Sequence, residues 1–221
     1  MTHRVRTNFD RAFAEVQQDL LALGEAVDAA IARSLECLVR RDPALAQQVV
    51  DEDGRINDLR FKIEEACLAL IATQQPAATD LRLIIAAMSV VMDMERMGDH
   101  ATGIAKTVLR MGDEPFVKPL QDIPRMADLA REMLRQSLQA FLRRDEAKAR
   151  EIAKRDDEVD HLYKMVFDEL VAIMARDPSA VSGATYLLWC AHNLERIGDR
   201  VTNIAERVVF VTTGDMRELN D

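Results

Sequence analysis

The chain contains 221 residues, of which 48% are hydrophobic, 30% are charged and 5% are aromatic. This balance excludes an intrinsically disordered chain, and the shortage of aromatic residues favours helices over sheets. The net charge of −9, without any run rich in Lys and Arg, argues against a nucleic-acid-binding protein. The longest apolar run, residues 83–92, has about half the length that a membrane span requires, so we expect no membrane insertion.

The three cysteines, Cys37, Cys67 and Cys190, lie far apart among apolar residues. An odd number of widely spaced cysteines indicates buried thiols rather than disulfides or a thiolate metal site. Free thiols, together with the expected lack of a signal peptide, are typical of a cytoplasmic protein, and this is the location that we expect.

The first half of the chain predicts three helices. Apolar residues recur at steps of three and four over residues 9–31 and again over residues 45–70, which is helical periodicity. Asp42–Pro43 separates these two helices, with Asp as the N-cap and Pro as the first residue of the second helix. The second helix is predicted to end at Gln74–Pro76, and the third is predicted to run from about Thr79 to Arg110.

The second half repeats this order after a linker. Residues 111–124 contain Gly112 and three prolines and are predicted to connect the two halves. A fourth helix is predicted around residues 129–141, a fifth from about Glu146 to Arg176, and a sixth from Asp177–Pro178 to about Thr213. No alternating strand pattern competes with these helices.

The two halves are related by an internal repeat, in which seven residues recur in the same order 100 positions apart. They are Glu95, Arg96, Gly98, Asp99, Thr102, Ile104 and Ala105 in the first copy, and Glu195, Arg196, Gly198, Asp199, Thr202, Ile204 and Ala205 in the second. Such a repeat indicates a duplicated structural unit. We therefore predict an all-α fold of two tandem three-helix bundles, with residues 1–114 as the first unit and residues 115–221 as the second.

Each copy places two carboxylates one helical turn apart, and a second polar motif lies on the preceding helix. Like charges in this relation repel, and a glycine inside a helix is unfavourable, so these choices point to a functional site. In the first unit the two motifs are equally far in sequence from the loop at Pro76, one before it and one after it, and in the second unit the same holds for the loop at Asp177–Pro178. We therefore expect the two motifs of each unit to lie side by side on antiparallel helices. The predicted groups are Asp53, Asn57, Glu95 and Asp99 in the first unit, and Asp156, Asp160, Glu195 and Asp199 in the second.

Four oxygen-bearing side chains that converge in this way favour a metal site. Their oxygens suit hard cations such as Mg²⁺, Ca²⁺ and Mn²⁺, and also iron, so we predict one cation site in each unit. His192, one turn before Glu195, could add a nitrogen ligand in the second unit. The competing interpretation is an ordinary salt-bridged surface, in which Arg55, Arg96 and Arg196 neutralise the carboxylates.

The chain carries no phosphate-loop, dinucleotide-binding, metalloprotease or hydrolase motif, so we expect a protein without enzymatic activity. The alternative is a carboxylate-bridged metal protein with di-iron redox activity, because ferritin-like sites use Glu-x-x-His on two helices. This sequence has one such string, from Glu158 to His161. A third interpretation is a helical interaction module that binds no metal.

Taken together, these motifs resemble the PhoU family of bacterial phosphate-uptake regulators. The resemblance rests on the segment E-R-[MI]-G-D-x-x-x-x-I-A, which begins at Glu95 and again at Glu195, on EACLALIA at residues 65–72, and on Gln75–Pro76 followed by DLRL at residues 80–83. It covers nearly the whole chain. It implies an all-helical cytoplasmic protein without known enzymatic activity.

The resemblance also implies partners and ligands. Members of the family work with the phosphate-specific ABC transporter and its sensor histidine kinase, so the implied partners are the transporter ATPase subunit and the kinase. When phosphate is plentiful, they keep the kinase from activating the phosphate-starvation genes and they restrain uptake. Some members bind iron or zinc clusters through paired acidic motifs, which correspond here to the two groups above. Asn57 departs from a fully acidic motif, Glu25 and Asp128 are further candidate ligands, and we expect a homodimer.

Overall fold

The computed structural model describes residues 2–112, 114–216 and 218–219, with side chains described from residue 8 onward. Within these ranges the chain is helical and forms no strand, which confirms the predicted all-α class. The helices are α1 (Thr2–Arg40), α2 (Pro43–Gln74), α3 (Thr79–Met111), α4 (Asp122–Arg143), α5 (Glu146–Lys154), α6 (Asp156–Arg176) and α7 (Val181–Thr213), with a 3-10 turn at Pro178–Ala180. None of these helices has both the length and the apolar content that a membrane span needs.

The connections between helices lie where the capping residues predict them. Asp42 and Asp145 each accept a hydrogen bond at Oδ1 from the backbone N–H three residues further on, at 3.0 Å in both cases. Gln75 ends α2 in the left-handed conformation, with a φ of 47°. Asp113, within the predicted linker, lies outside the described residues, and the division between residues 114 and 115 stays a prediction.

The fifth predicted helix is interrupted, so the expectation of one helix from Glu146 to Arg176 is wrong. It consists of α5 and α6, which meet at Arg155. The Arg155 N–H donates to the Ile152 carbonyl at 2.9 Å, and the Glu158 N–H donates to the Arg155 carbonyl at 3.0 Å. These bonds span three residues instead of four and tighten the chain locally. The break makes Asp156 the first residue of a new helix, where a carboxylate is favourable.

Helices α3 and α7 form the centre of the molecule. Helix α3 packs on α1 and α2, α7 packs on α4, α5 and α6, and the contact between α3 and α7 is the most extensive in the structure. A stripe of apolar residues along α3 is buried in this arrangement, as expected for a helix enclosed by neighbours on several sides. That stripe consists of Leu83, Val90, Met97, Ile104 and Val108. The two units therefore share one continuous core.

Polar contacts join α3 to α7 at equivalent positions of the repeat. Asp93 on α3 accepts a hydrogen bond from Asn203 at 2.9 Å, and its Oδ1 lies 3.4 Å from Arg200 Nη1. His100 on α3 is hydrogen-bonded to Asn193 on α7 at 2.9 Å. Positions 93 and 100 correspond to positions 193 and 200, so the two sets of contacts are related by the approximate twofold symmetry of an antiparallel helix pair. This symmetry places the two acidic motifs at the same level of the molecule.

A charged contact joins α1 of the first unit to α4 of the second. Asp28 accepts hydrogen bonds from Arg131 Nε and Nη2 and from Arg135 Nη1, each at 3.0 Å. We expect Asp28→Ala to lower the free energy of unfolding by about 1–2 kcal/mol in chemical denaturation, because charge-assisted, partly buried hydrogen bonds are lost. The exposed pair Arg11–Glu15 supplies the control, since Glu15→Ala should cost no more than about 0.5 kcal/mol. Equal losses in the two variants would contradict the prediction.

Candidate cation site

Three carboxylates of the second unit converge at the junction of α6 and α7. Asp156 begins α6, Asp160 follows one turn later, and Asp199 lies on α7. One carboxylate oxygen from each residue lies within 4.8 Å of the other two, and no other trio of Asp, Glu, His and Cys side chains among the described residues meets this spacing. Asp156 is only 4% exposed, and its Oδ1 atom has no hydrogen-bond partner. A buried carboxylate oxygen without a donor is unfavourable unless a cation or a proton compensates it.

The electrostatics of the cluster agree with its geometry. Burial, together with the negative charges of Asp160, Asp199 and Glu195, raises the pKa of Asp156 from 3.8 to about 7. Burial also raises the pKa of Asp160 and of Asp199. The cluster therefore holds more negative charge than its protein surroundings neutralise. A bound hard cation would offset that excess.

Glu195 lies beside this cluster but is already engaged by other side chains. It is buried and accepts hydrogen bonds from the guanidinium of Arg196, which also lies 2.8 Å from Asp199 Oδ2 through Nη1. His192 Nδ1 lies 3.5 Å from Glu195 Oε2, and the imidazole is half exposed. Of the four residues predicted for the second site, the structure brings Asp156, Asp160 and Asp199 together and places Glu195 at the edge.

The repeated glycine of α7 makes this arrangement possible. A Cβ atom at Gly198 would lie 2.6 Å from Asp156 Oδ1 and 3.3 Å from Val159 Cγ1. The bare backbone of α7 therefore lets the start of α6 approach closely and buries the Asp156 carboxylate. At the equivalent position in the first unit, a Cβ at Gly98 would meet Ile56 Cδ1 at 2.9 Å. There the close contact is apolar.

The predicted group of the first unit is arranged differently. Asp53 accepts a hydrogen bond from Thr102 Oγ1 at 2.9 Å, and Glu95 accepts one from Arg60 Nη1 at 2.9 Å. Asn57 donates to the Asp53 carbonyl at 3.5 Å, and Asp99 is exposed. The sequence symmetry about Pro76 predicts that Asp53 lies level with Asp99. In the structure its hydrogen-bond partner on α3 is Thr102, three positions further on, and Asp99 is exposed.

The other candidate ligands lie away from the cluster. Glu25 is exposed and lines a cavity of about 520 Å³ between α1 and α2, and the Asp128 side chain is 73% exposed and pairs with Arg131. The Glu158 and His161 side chains, which carry the ferritin-like string, both face solvent. The ferritin-like string therefore does not contribute side chains to the carboxylate cluster.

Sequence reasoning did not single out the two residues that distinguish the repeats. Arg60 follows Asp53 by seven positions, and Tyr163 follows Asp156 by the same interval. Because seven residues correspond to two helical turns, each lies on the same face as the polar motif of its unit. The difference between Arg60 and Tyr163 at equivalent positions was therefore a signal in the sequence that the two repeats are not alike.

The raised pKa of Asp156 predicts a pH-dependent stability of the metal-free protein. The pKa of the Asp156 carboxyl is 3.8 in the unfolded chain and about 7 in the folded protein. Because the folded state keeps the proton to higher pH, the contribution of this group to stability should be lost as the pH rises from about 4 to about 7. Denaturant unfolding with a chelator present would measure the loss. The control is Asp156→Asn, in which this part of the pH dependence should be missing; the same pH profile in both proteins would contradict the assignment.

The fold and the site together define a class of protein: a helical protein of two tandem three-helix units with an acidic site between two helices of a unit. A family model described as the PhoU domain matches the chain twice, over residues 20–108 and 123–208. The chain therefore belongs to the PhoU family.

Individual relatives resemble the chain over its full length. The phosphate-specific transport system accessory protein PhoU homolog of Clostridium acetobutylicum is 38% identical, and the match covers 100% of both chains. The homolog of the same description from Pseudomonas aeruginosa is 35% identical over 99% of this chain and 91% of its own length.

Solved structures agree with this relationship. The crystal structure of PhoU from Pseudomonas aeruginosa matches with a TM-score of 0.89 and 36% identity, covering 94% of this chain and 100% of that one. The phosphate transport system regulatory protein PhoU from Streptococcus pneumoniae matches with a TM-score of 0.89 and 33% identity, covering 95% of this chain and 99% of that one. The predicted fold of tandem three-helix units is confirmed.

Proposed function

We propose that this protein is a cytoplasmic regulator of phosphate homeostasis that couples a phosphate ABC transporter to its sensor histidine kinase. With phosphate in excess, it keeps the kinase from activating the phosphate-starvation genes and restrains phosphate uptake. It acts by contact and not by catalysis. Its partners are the ATPase subunit of the transporter, the kinase and a second copy of this chain.

The observation that carries this proposal is similarity along the full length of both repeats to proteins named for phosphate transport. The Clostridium acetobutylicum relative, described as an accessory protein, aligns with the whole chain at 38% identity. The Streptococcus pneumoniae relative, described as a regulatory protein, shares the fold with a TM-score of 0.89. The net charge of −9 agrees with a protein that binds other proteins and not nucleic acid.

The test is a reporter of the phosphate-starvation genes in the native host, such as alkaline phosphatase, after deletion of this gene. With phosphate in excess, we expect constitutive reporter expression and faster uptake of labelled phosphate, both reversed by a plasmid copy of the gene. Normal repression in a deletion strain that lacks every other family member would contradict the proposal. If the deletion gives constitutive expression, cross-linking of the plasmid-borne protein in cells would next identify its contacts with the transporter and the kinase.

We further propose that Asp156, Asp160 and Asp199 hold a hard divalent or iron cation, with Glu195 in support. The support for this is the orphaned Asp156 Oδ1 atom and the oxygen-only donor set. A bound cation would supply positive charge where α6 meets α7 and would fix the start of α6. Complementation of the deletion strain by Asp199→Asn would show whether repression depends on this site.

A further inference from the structure

The two repeats differ in what faces their acidic residues, and the first repeat contains an arginine at the decisive position. Arg60 Nη1 donates to Glu95 Oε1 at 2.9 Å, and Arg60 Nε donates to Glu64 Oε1 at 3.1 Å. The guanidinium also lies 5.0 Å from the centre of the Phe61 ring. Its side chain is 21% exposed. Two carboxylates and an aromatic ring therefore fix the positive charge of Arg60 among the acidic side chains of the first repeat.

A tyrosine occupies the corresponding position in the second repeat. Tyr163 lies seven residues after Asp156 and packs with its ring centre 6.0 Å from that of His192. A phenol carries no charge at neutral pH, so it cannot replace the guanidinium. The arginine that follows each repeated glutamate, Arg96 or Arg196, is present in both units and does not account for the difference.

The equivalent threonines also behave differently. Thr102 donates its hydroxyl hydrogen to Asp53 Oδ1 at 2.9 Å. Thr202 instead donates to the carbonyl of Asp199 on its own helix at 2.6 Å. The carboxylate equivalent to Asp53 is Asp156, and its Oδ1 atom is left without a donor. The hydroxyl that satisfies the first repeat is thus turned away in the second.

The second of the two predicted groups also has one more carboxylate than the first. The first group contains three carboxylates and the amide of Asn57, whereas the second contains four carboxylates. In the first, Glu95 Oε2 is buried without a hydrogen bond but lies 3.7 Å from Arg96 Nε, and the other oxygen of Glu95 binds Arg60. With Glu64, which also binds Arg60, the first repeat has four carboxylates like the second, and it alone adds a fixed guanidinium among them.

We propose that the two repeats are not equivalent toward cations: Arg60 is the built-in counter-ion of the first repeat, and each chain binds one hard cation, in the second repeat. This inference rests on the proposed cation site at Asp156, Asp160 and Asp199. It assigns the first repeat a permanent, cation-independent clamp between α2 and α3, while the clamp between α6 and α7 responds to cation supply.

The test is a titration of the metal-free full-length protein with Mn²⁺, in which electron paramagnetic resonance measures the unbound ion. The wild type should bind one tight equivalent per chain. Asp199→Asn should weaken this binding at least tenfold, whereas the matched change in the first repeat, Asp99→Asn, should leave it unchanged. Tyr163→Arg, which places a guanidinium in the second repeat, should also weaken it at least tenfold.

Replacing Arg60 in the first repeat tests its role as counter-ion directly. The double variant Arg60→Tyr, Asn57→Asp should bind two equivalents, while Arg60→Lys, which keeps the charge, should still bind one; circular dichroism would verify that each variant is folded. Two equivalents in the wild type, or one in the folded double variant, would overturn the role of Arg60. No tight equivalent in the wild type would overturn the cation site itself and this inference with it. None of these outcomes bears on repression of the reporter, so the regulatory proposal is tested separately.

Discussion

Replacing Asp156 by Asn should stabilise the metal-free protein and abolish its stabilisation by divalent cations. The amide removes a buried charge whose Oδ1 atom lacks a donor and whose neighbours are carboxylates. Because solvent screens part of the repulsion at the less buried Asp160 and Asp199, we expect the free energy of unfolding at pH 8 to rise by about 1–2 kcal/mol in the presence of a chelator.

The same substitution should have the opposite effect once cation is added. A cation at a thousand times its dissociation constant would stabilise the wild type by about 4 kcal/mol, and this gain should vanish in the variant. Denaturant unfolding with and without Mn²⁺ would measure both effects. The matched control is Asp53→Asn, because Asp53 accepts a hydrogen bond from Thr102 that an amide oxygen can also accept. The prediction is wrong if the metal-free Asp156→Asn protein is less stable than the wild type. Groups of the protein itself would then already stabilise the Asp156 carboxylate.

Replacing Gly198 by Ala should destabilise the protein although alanine is the better helix former. Helix propensity alone favours Ala over Gly by about 1 kcal/mol. The new methyl group would lie 2.6 Å from Asp156 Oδ1 and 3.3 Å from Val159, so the Asp156 carboxylate, or the start of α6 with it, has to move away from α7. We expect a net loss of about 1–3 kcal/mol in chemical denaturation and a Mn²⁺ affinity at least tenfold lower.

Two other glycines separate the causes of this effect. Gly54→Ala should stabilise by about 0.5–1 kcal/mol, because nothing lies within 4 Å of the added Cβ atom. Gly98→Ala meets Ile56 in the first repeat and should destabilise without changing the affinity for Mn²⁺. Equal stabilities of the Gly54 and Gly198 variants would mean that the α6–α7 contact adapts without cost.

The periodicity of apolar residues predicted the helical class because it depends on each segment alone. Asp42 caps α2 as its position before Pro43 indicates, and α3 extends over nearly the residues predicted for it. The fifth helix departed from prediction because the apolar pattern continues through Arg155, whereas the hydrogen bonds there tighten. Periodicity records which face is buried and does not record such a break.

The sequence by itself determined the repeat, the helices apart from the break at Arg155, and the acidic cluster of the second unit, where the symmetry about Asp177–Pro178 correctly places Asp156 near Asp199. Only the tertiary structure decided that Asp53 meets Thr102, that Arg60 faces Glu95, and that α3 packs along α7. These contacts depend on the register between helices, which the geometry of short connections sets. A Cβ at Gly98 would meet Ile56 and one at Gly198 would meet the equivalent Val159, so the two repeats share one register. Even so, the Thr102 hydroxyl reaches across to the neighbouring helix while the Thr202 hydroxyl bonds its own helix, and no pattern within a single helix records that difference.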